Sequence, residues 1–123
     1  MSGQIVGYVR VSVADQNPQR QLEALGACHK VFTDKIRGKS RAKRQALADL
    51  LEYIRDDDVV RIASMDRLGR DTRDLYNIVA EITDKGAAVE FVNENITVDK
   101  NGASPMDSLM LGVLAAFAEF ERR

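Results

Sequence analysis

The sequence predicts an α/β domain: an open, mostly parallel sheet flanked by helices, closed by a C-terminal interface helix. Three observations carry this expectation. Short runs rich in Val, Ile and Tyr alternate with stretches of helical apolar spacing from residue 5 to residue 92. Gly, Pro, Asn and Asp fall where those runs must stop. The last 20 or so residues then form a segment that is apolar nearly all round.

Taken in order, Ile5 to Val11 alternates and reads as a strand. Asn17-Pro18 predicts an N-cap with proline in the first helical position, and the helix runs to about Leu25 with Gly26 as its stop. Lys30 to Thr33 is a short strand. A basic loop follows, loosened by Gly38, and Leu47, Leu50, Leu51 and Ile54 then mark a second helix. Asp56-Asp57-Asp58 is a turn, and Val59 to Met65 a third strand. Thr72 to Lys85 is a third helix: Leu75, Ile78, Val79 and Ile82 line one face and Gly86 ends it. Ala87 to Val92 is a fourth strand, and residues 94–103 a polar connection. Strands alternating with helices imply parallel pairing.

The closing segment opens with Ser104-Pro105-Met106-Asp107, a capping serine, a proline and an acid in the first turn. Met106, Leu109, Met110, Val113, Leu114, Phe117 and Phe120 make one apolar face, and Leu111, Ala115 and Ala118 extend it to the opposite side. A helix buried on two sides has few partners in so small a chain, so this face, centred on Met106, Met110, Val113, Leu114 and Phe117, is expected to pair with a second copy. Its alternative is the central core helix of a monomer. Residues 1–103 are thus expected to form the α/β core and residues 104–123 the start of a long dimerisation helix.

Length and composition narrow the function. A chain of 123 residues holds one core. The start lacks the basic and apolar regions of a signal peptide. The apolar run from Leu109 to Ala118 is far short of the roughly 20 residues that span a bilayer, so no membrane partner is expected. One cysteine, Cys28, excludes an internal disulfide framework and suits a reducing cytoplasm. Beside a single histidine, His29, it cannot build a zinc site, and no metal or cofactor is expected. A net charge of −1 argues against a stand-alone DNA binder. Positive charge is instead concentrated in Lys35, Arg37, Lys39, Arg41, Lys43 and Arg44, without an intervening acid. Such a run is either a solvated loop or a phosphate contact.

The chemistry is carried by two strand ends. Arg10-Val11-Ser12 closes the first strand, and Asp66-Arg67-Leu68-Gly69-Arg70-Asp71 follows the third. Reactive groups in open α/β sheets gather at the carboxyl ends of strands. Guanidinium forks match phosphate oxygens. A serine among arginines therefore suggests attack on phosphorus rather than on an acyl carbon. Taken alone, a serine after a strand is commonly a turn residue.

Tyr8-Val-Arg-Val-Ser12 and Met65-Asp-Arg-Leu-Gly-Arg-Asp71, with Arg44 between them, resemble the signature segments of the serine site-specific recombinases of the resolvase/invertase type, from Ile5 to Arg123. The resemblance implies a resolvase-like catalytic domain in which Ser12 attacks the scissile DNA phosphate, forms a covalent phosphoserine linkage and is displaced by a free DNA hydroxyl, conserving bond energy. It makes Arg10, Arg44, Arg67 and Arg70 phosphate-clamping arginines, able to stand in for metal ions. It makes Asp66 a carboxylate that orients Arg10 or Arg70, and Gln21 an active-site amide for phosphate or serine. Lys39, Arg41 and Lys43 become DNA-contacting positions, as do Arg122 and Arg123. The partners it implies are a DNA recombination site and further copies of the chain, as homodimer and homotetramer. The setting it implies is a bacterial cytoplasm, on a nucleoid, phage or plasmid. A helix-turn-helix domain and the arm preceding it, which the family uses to read its site, have no counterpart in these residues. On this reading the chain is a truncated form, inactive alone.

Two other readings fit the sequence. One is a flavodoxin-like receiver or binding module using Asp56, Asp57 and Asp58, although these acids precede a strand. The other is a catalytically silent dimerisation domain, against which the intact Ser12, Arg10, Arg67 and Arg70 argue.

Overall fold

A computed structural model describes residues 3–12, 18–36, 44–69, 72–99 and 112, with the backbone alone at Ser12, Ile36 and Thr72. Among the described residues five strands form one sheet in the order β2-β1-β3-β4-β5: β1 Ile5–Ser12, β2 Lys30–Ile36, β3 Val59–Ile62, β4 Ala88–Phe91 and β5 Ile96–Val98. The first four pair parallel and β5 returns antiparallel against β4. Helices α1 Gln19–Leu25, α2 Gln45–Tyr53 and α3 Thr72–Asp84 connect the parallel strands.

Alternation along the strands sorts the core. Val6, Tyr8, Val60, Ile62, Val89 and Phe91 point to the face covered by α2 and α3, where Leu47, Leu50, Leu75, Ile78 and Ile82 meet them. Val9 and Val11 point the other way, onto Leu25 and Cys28. Truncating a wholly buried member such as Ile62 or Phe91 to alanine costs about 2–5 kcal/mol. On the α1 face Arg61 sits in register with Glu90 and bonds it at 2.9 Å, while donating to the Leu25 carbonyl at 2.8 Å. That cation closes the C-terminal end of α1, where the helix dipole favours it.

Four expectations need correcting. The first helix starts at Gln19, with Pro18 in the cap position and not inside the helix; Asn17 lies outside the described residues. The second strand continues to Ile36, because β1 supplies partners as far as Ser12. The third strand stops at Ile62, and Met65–Arg67 is a single 3-10 turn. Met65 is buried by that turn, which is why its apolar character reads as strand. The polar connection contains β5, whose Ile96 and Val98 are buried against the core. Gly26 and Gly86, with φ of 66° and 89°, stop the preceding helices as expected. The C-terminal helix lies outside the described residues except for Gly112, which is helical. A Cβ placed on Gly112 would lie 3.3 Å from the Tyr76 hydroxyl.

Candidate active site

Strands β1 and β3 are neighbours, with Ile5 opposite Val59 and Tyr8 opposite Ile62. β1 runs on past that last pair to Ser12, so the segment leaving β3 turns beside the end of β1. The Arg10 guanidinium donates to the Asp66 main-chain carbonyl, and Arg67 Nη1 donates to the Arg10 carbonyl at 3.3 Å. Residues 56 positions apart thus become one cluster at the carboxyl end of the sheet. Ser12 is the last residue of β1, with its backbone in register with Ile36; its side chain lies outside the description.

Gly69 permits this crossing. A Cβ there would lie 2.7 Å from Leu75 Cα and Cβ, so only glycine lets the turn pass against the first turn of α3.

Gln21 is buried on α1, and its amide is engaged with backbone rather than facing outward. Arg10 N–H donates to Gln21 Oε1 at 3.2 Å, and Gln21 Nε2 donates to the Arg10 carbonyl at 3.0 Å. Facing the edge of a strand, the amide reproduces a ladder pairing, so Gln21 holds the β1 backbone where phosphate or serine contact was expected. For Asp66 the expected contact with Arg10 is made through the main chain, and Arg70, its other expected partner, lies outside the described residues. The Asp66 carbonyl, not its carboxylate, receives Arg10, while the carboxylate accepts the Ser64 hydroxyl.

Arg44 caps α2 and reaches across to α3. It donates to Asp74 through both nitrogens, at 2.8 and 3.0 Å, and to the Leu68 carbonyl at 3.2 Å. Asp74 holds the guanidinium firmly in its charged form. The start of α2 is fixed in turn by buried Asp34, which accepts the Ala46 and Leu47 amides at 2.8 and 3.1 Å and the Tyr8 hydroxyl at 2.7 Å. Burial first, and then Asp34, push the Tyr8 phenol far above its ordinary range, so it stays a proton donor.

Tyr8, Asp34, Asp74 and Glu94, whose carboxylate accepts the Met65 amide at 3.3 Å, were missed as residues that bond across this region. Tyr8 stood inside the first motif and offered a signal. The other three act across gaps in sequence that no local pattern reveals. Arg70, Lys39, Arg41, Lys43, Arg122 and Arg123 lie outside the described residues, as do Met106, Met110, Val113, Leu114 and Phe117. Asp56, Asp57 and Asp58 sit at the opposite end, before β3. There Asp58 is buried and accepts the Gln4 and Arg55 amides, both at 2.8 Å. Among the described residues no group of three or more His, Cys, Asp or Glu is placed to hold a metal ion. No helix among them is long and apolar enough to cross a membrane.

The family profile described as "Resolvase, N terminal domain" matches residues 5–123. The chain belongs to the resolvase family. It is similar to the Tn501 transposon resolvase of Pseudomonas aeruginosa, 49% identical over 122 residues, covering 99% of this chain and 64% of that protein. It is also similar to the Tn552 DNA-invertase BinR of Staphylococcus aureus, 39% identical over 119 residues, covering 95% of this chain and 60% of that relative. The chain therefore spans just under two thirds of the length of these resolvase relatives. Among solved structures, the N-terminal catalytic domain of TP901-1 integrase superposes with a TM-score of 0.64 at 28% identity, covering 96% of this chain and 95% of that domain. This likeness fits the expected mostly parallel α/β catalytic-domain fold, and the receiver reading falls away.

Proposed function

We propose that this chain is the catalytic part of a DNA strand transferase that cuts and rejoins DNA through Ser12. Ser12 Oγ attacks the scissile phosphorus. The phosphodiester bond to the departing DNA hydroxyl breaks, and a phosphoserine ester forms. A DNA hydroxyl then attacks that ester and frees the serine, so no external energy source is consumed. Arg10 and Arg67 supply fixed positive charge at the transferring phosphoryl group, where negative charge spreads over the non-bridging oxygens. Arg70 and Arg44 complete the clamp, Arg44 through the placement that Asp74 imposes on it. Asp66 serves the turn that carries Arg67, and Gln21 serves the strand that carries Arg10 and Ser12.

The observation that carries this reading is the pair of bonds across the end of β1 and the turn after β3, from Arg10 to the Asp66 carbonyl and from Arg67 to the Arg10 carbonyl. It puts two guanidinium groups beside the strand that ends at Ser12.

We infer further that residues 1–103 work as the core and that the helix over residues 104–123 pairs with a second copy through Met106, Met110, Val113, Leu114 and Phe117. Two such dimers would exchange strands as a tetramer. Lys39, Arg41, Lys43, Arg122 and Arg123 would track DNA phosphates. The setting is a bacterial nucleoid or a mobile element.

The test is a denaturing gel of the natural-length protein on DNA carrying its site. The unsubstituted protein yields a covalent adduct and Ser12→Ala yields none. An adduct that persists in Ser12→Ala removes the assignment. For the assembly, sedimentation should show self-association that Leu114→Lys abolishes.

A further inference from the structure

Beyond the arginine cluster, one carboxyl group stands where the turn after β3 is set. β4 ends at Phe91, and the chain then follows the β3 exit in step. Val92 N–H donates to the Ile62 carbonyl at 2.9 Å and Asn93 N–H to the Ala63 carbonyl at 2.8 Å. The next link is a side chain: Met65 N–H donates to Glu94 Oε2 at 3.3 Å. Met65 opens the 3-10 turn whose next two residues are Asp66 and Arg67. Its amide is one of the orphan donors that every helical start must satisfy, and Ser64 in the cap position makes no side-chain bond to it.

The way Glu94 reaches this amide is built into the hairpin. Asn95 adopts the left-handed conformation, φ 56°, and its N–H donates to the Val92 carbonyl at 3.1 Å. Asparagine tolerates that conformation better than most residues. The turn leaves Asn93 and Asn95 exposed and folds Glu94 inward. Glu94 Oε1 is shielded from solvent and has no hydrogen-bond partner among the described residues. A half-buried carboxyl group with one oxygen unmatched is costly to maintain, and such groups persist where they serve a geometry.

We propose that Glu94 is a positioning residue for strand cleavage: through the Met65 amide it sets the turn that presents Arg67 and the Asp66 carbonyl to Arg10. This rests on the recombinase reading above. Glu94 touches no DNA in this scheme and acts only through the turn. Burial, countered by the Met65 amide and reinforced by the nearby Asp66 carboxylate, pushes its carboxyl group above the ordinary range. A neutral carboxyl still accepts the Met65 N–H through its carbonyl oxygen, so the amide oxygen of glutamine can do the same.

The experiment compares natural-length protein with Glu94→Ala and Glu94→Gln, by single-turnover adduct formation and by hydrogen exchange of the 63–68 peptide. Glu94→Ala should slow adduct formation at least ~10-fold, as small displacements of aligned groups do. It should also speed exchange in that peptide while circular dichroism stays unchanged. Glu94→Gln should recover most of the rate and the protection. Adduct formation at the unsubstituted rate in Glu94→Ala overturns the proposal. So does a Glu94→Gln protein as slow as Glu94→Ala, because the missing acceptor would then not be the cause. If the unsubstituted protein makes no adduct, the recombinase reading fails, and the exchange comparison still decides whether Glu94 sets the turn.

Discussion

Arg10 and Arg67 cross-link the end of β1 to the turn after β3: the Arg10 guanidinium donates to the Asp66 carbonyl beside Arg67, and Arg67 donates to the Arg10 carbonyl at 3.3 Å. Each guanidinium donates to a carbonyl oxygen, whose dipole complements the cation.

Replacing Arg67 with lysine tests whether this shape matters beyond charge. Lysine is a point charge without the planar fork. Arg67→Lys should lower the single-turnover cleavage rate by roughly a hundredfold. Stability should fall by only about 0.5–1.5 kcal/mol, the value of one hydrogen bond. Urea titration beside the cleavage assay separates the two. Equal cleavage rates would show that charge alone suffices.

At Gly69 the expected effect is steric. Gly69→Ala brings a methyl group to within 2.7 Å of Leu75 Cα, a backbone atom that cannot swing aside. Either α3 or the turn must shift, costing about 1–3 kcal/mol. The measured change in urea midpoint should be accompanied by loss of cleavage, since the shift displaces the residues on either side. A variant as stable and active as the parent would contradict the observed approach.

Arg44 and Asp74 form the bidentate pair between α2 and α3, each side chain only 16% exposed. A double-mutant cycle of Arg44→Ala and Asp74→Ala should give a coupling of about 1–3 kcal/mol in stability. Asp74→Ala alone should also reduce cleavage, because Arg44 then loses its anchor. Additive effects within error would show the pair to be energetically idle.

Much of the fold was legible because periodicity reports burial on one face, as in Ile5–Ser12 or the apolar stripe of α3. The failures share a cause. β5 has three residues, too few to show alternation, and follows a turn of Asn and Glu that reads as loop. Ala63-Ser64-Met65 looked like strand because Met65 is buried, yet a 3-10 turn buries it equally well. At the site, the positions of Arg10 and Arg67 followed from motif and strand order. The partners that hold them did not: Gln21 pairs with backbone, which has no sequence identity to read. Asp34, Asp74 and Glu94 reach partners 12 or more positions away.

Glu94 also makes a prediction for pH. Its folded-state carboxyl group is raised, chiefly by burial, so the native chain holds that proton more tightly than the unfolded chain does. The stabilisation is complete below the unfolded value of about 4.3 and is lost as pH climbs through the higher folded value. The stability of the parent relative to Glu94→Gln should therefore fall as pH rises from about 4 and then level off. Urea melts across a pH series check this. A difference that grows with pH would reverse the sign.

The order of the sheet has one more consequence. Among the described residues β2 forms one border, and such an outer row of amides and carbonyls is a template on which a stray strand could add. Lysines stand near both ends of that border, Lys30 and Lys35, both exposed. Lys30 is steadied by the rings of Phe32 and Tyr53, 5.3 and 5.4 Å away. Charge repulsion between two such borders disfavours their zipping together. The opposite border, three residues long, offers too little length to seed fibrils. Pairing between sheet margins is thereby disfavoured.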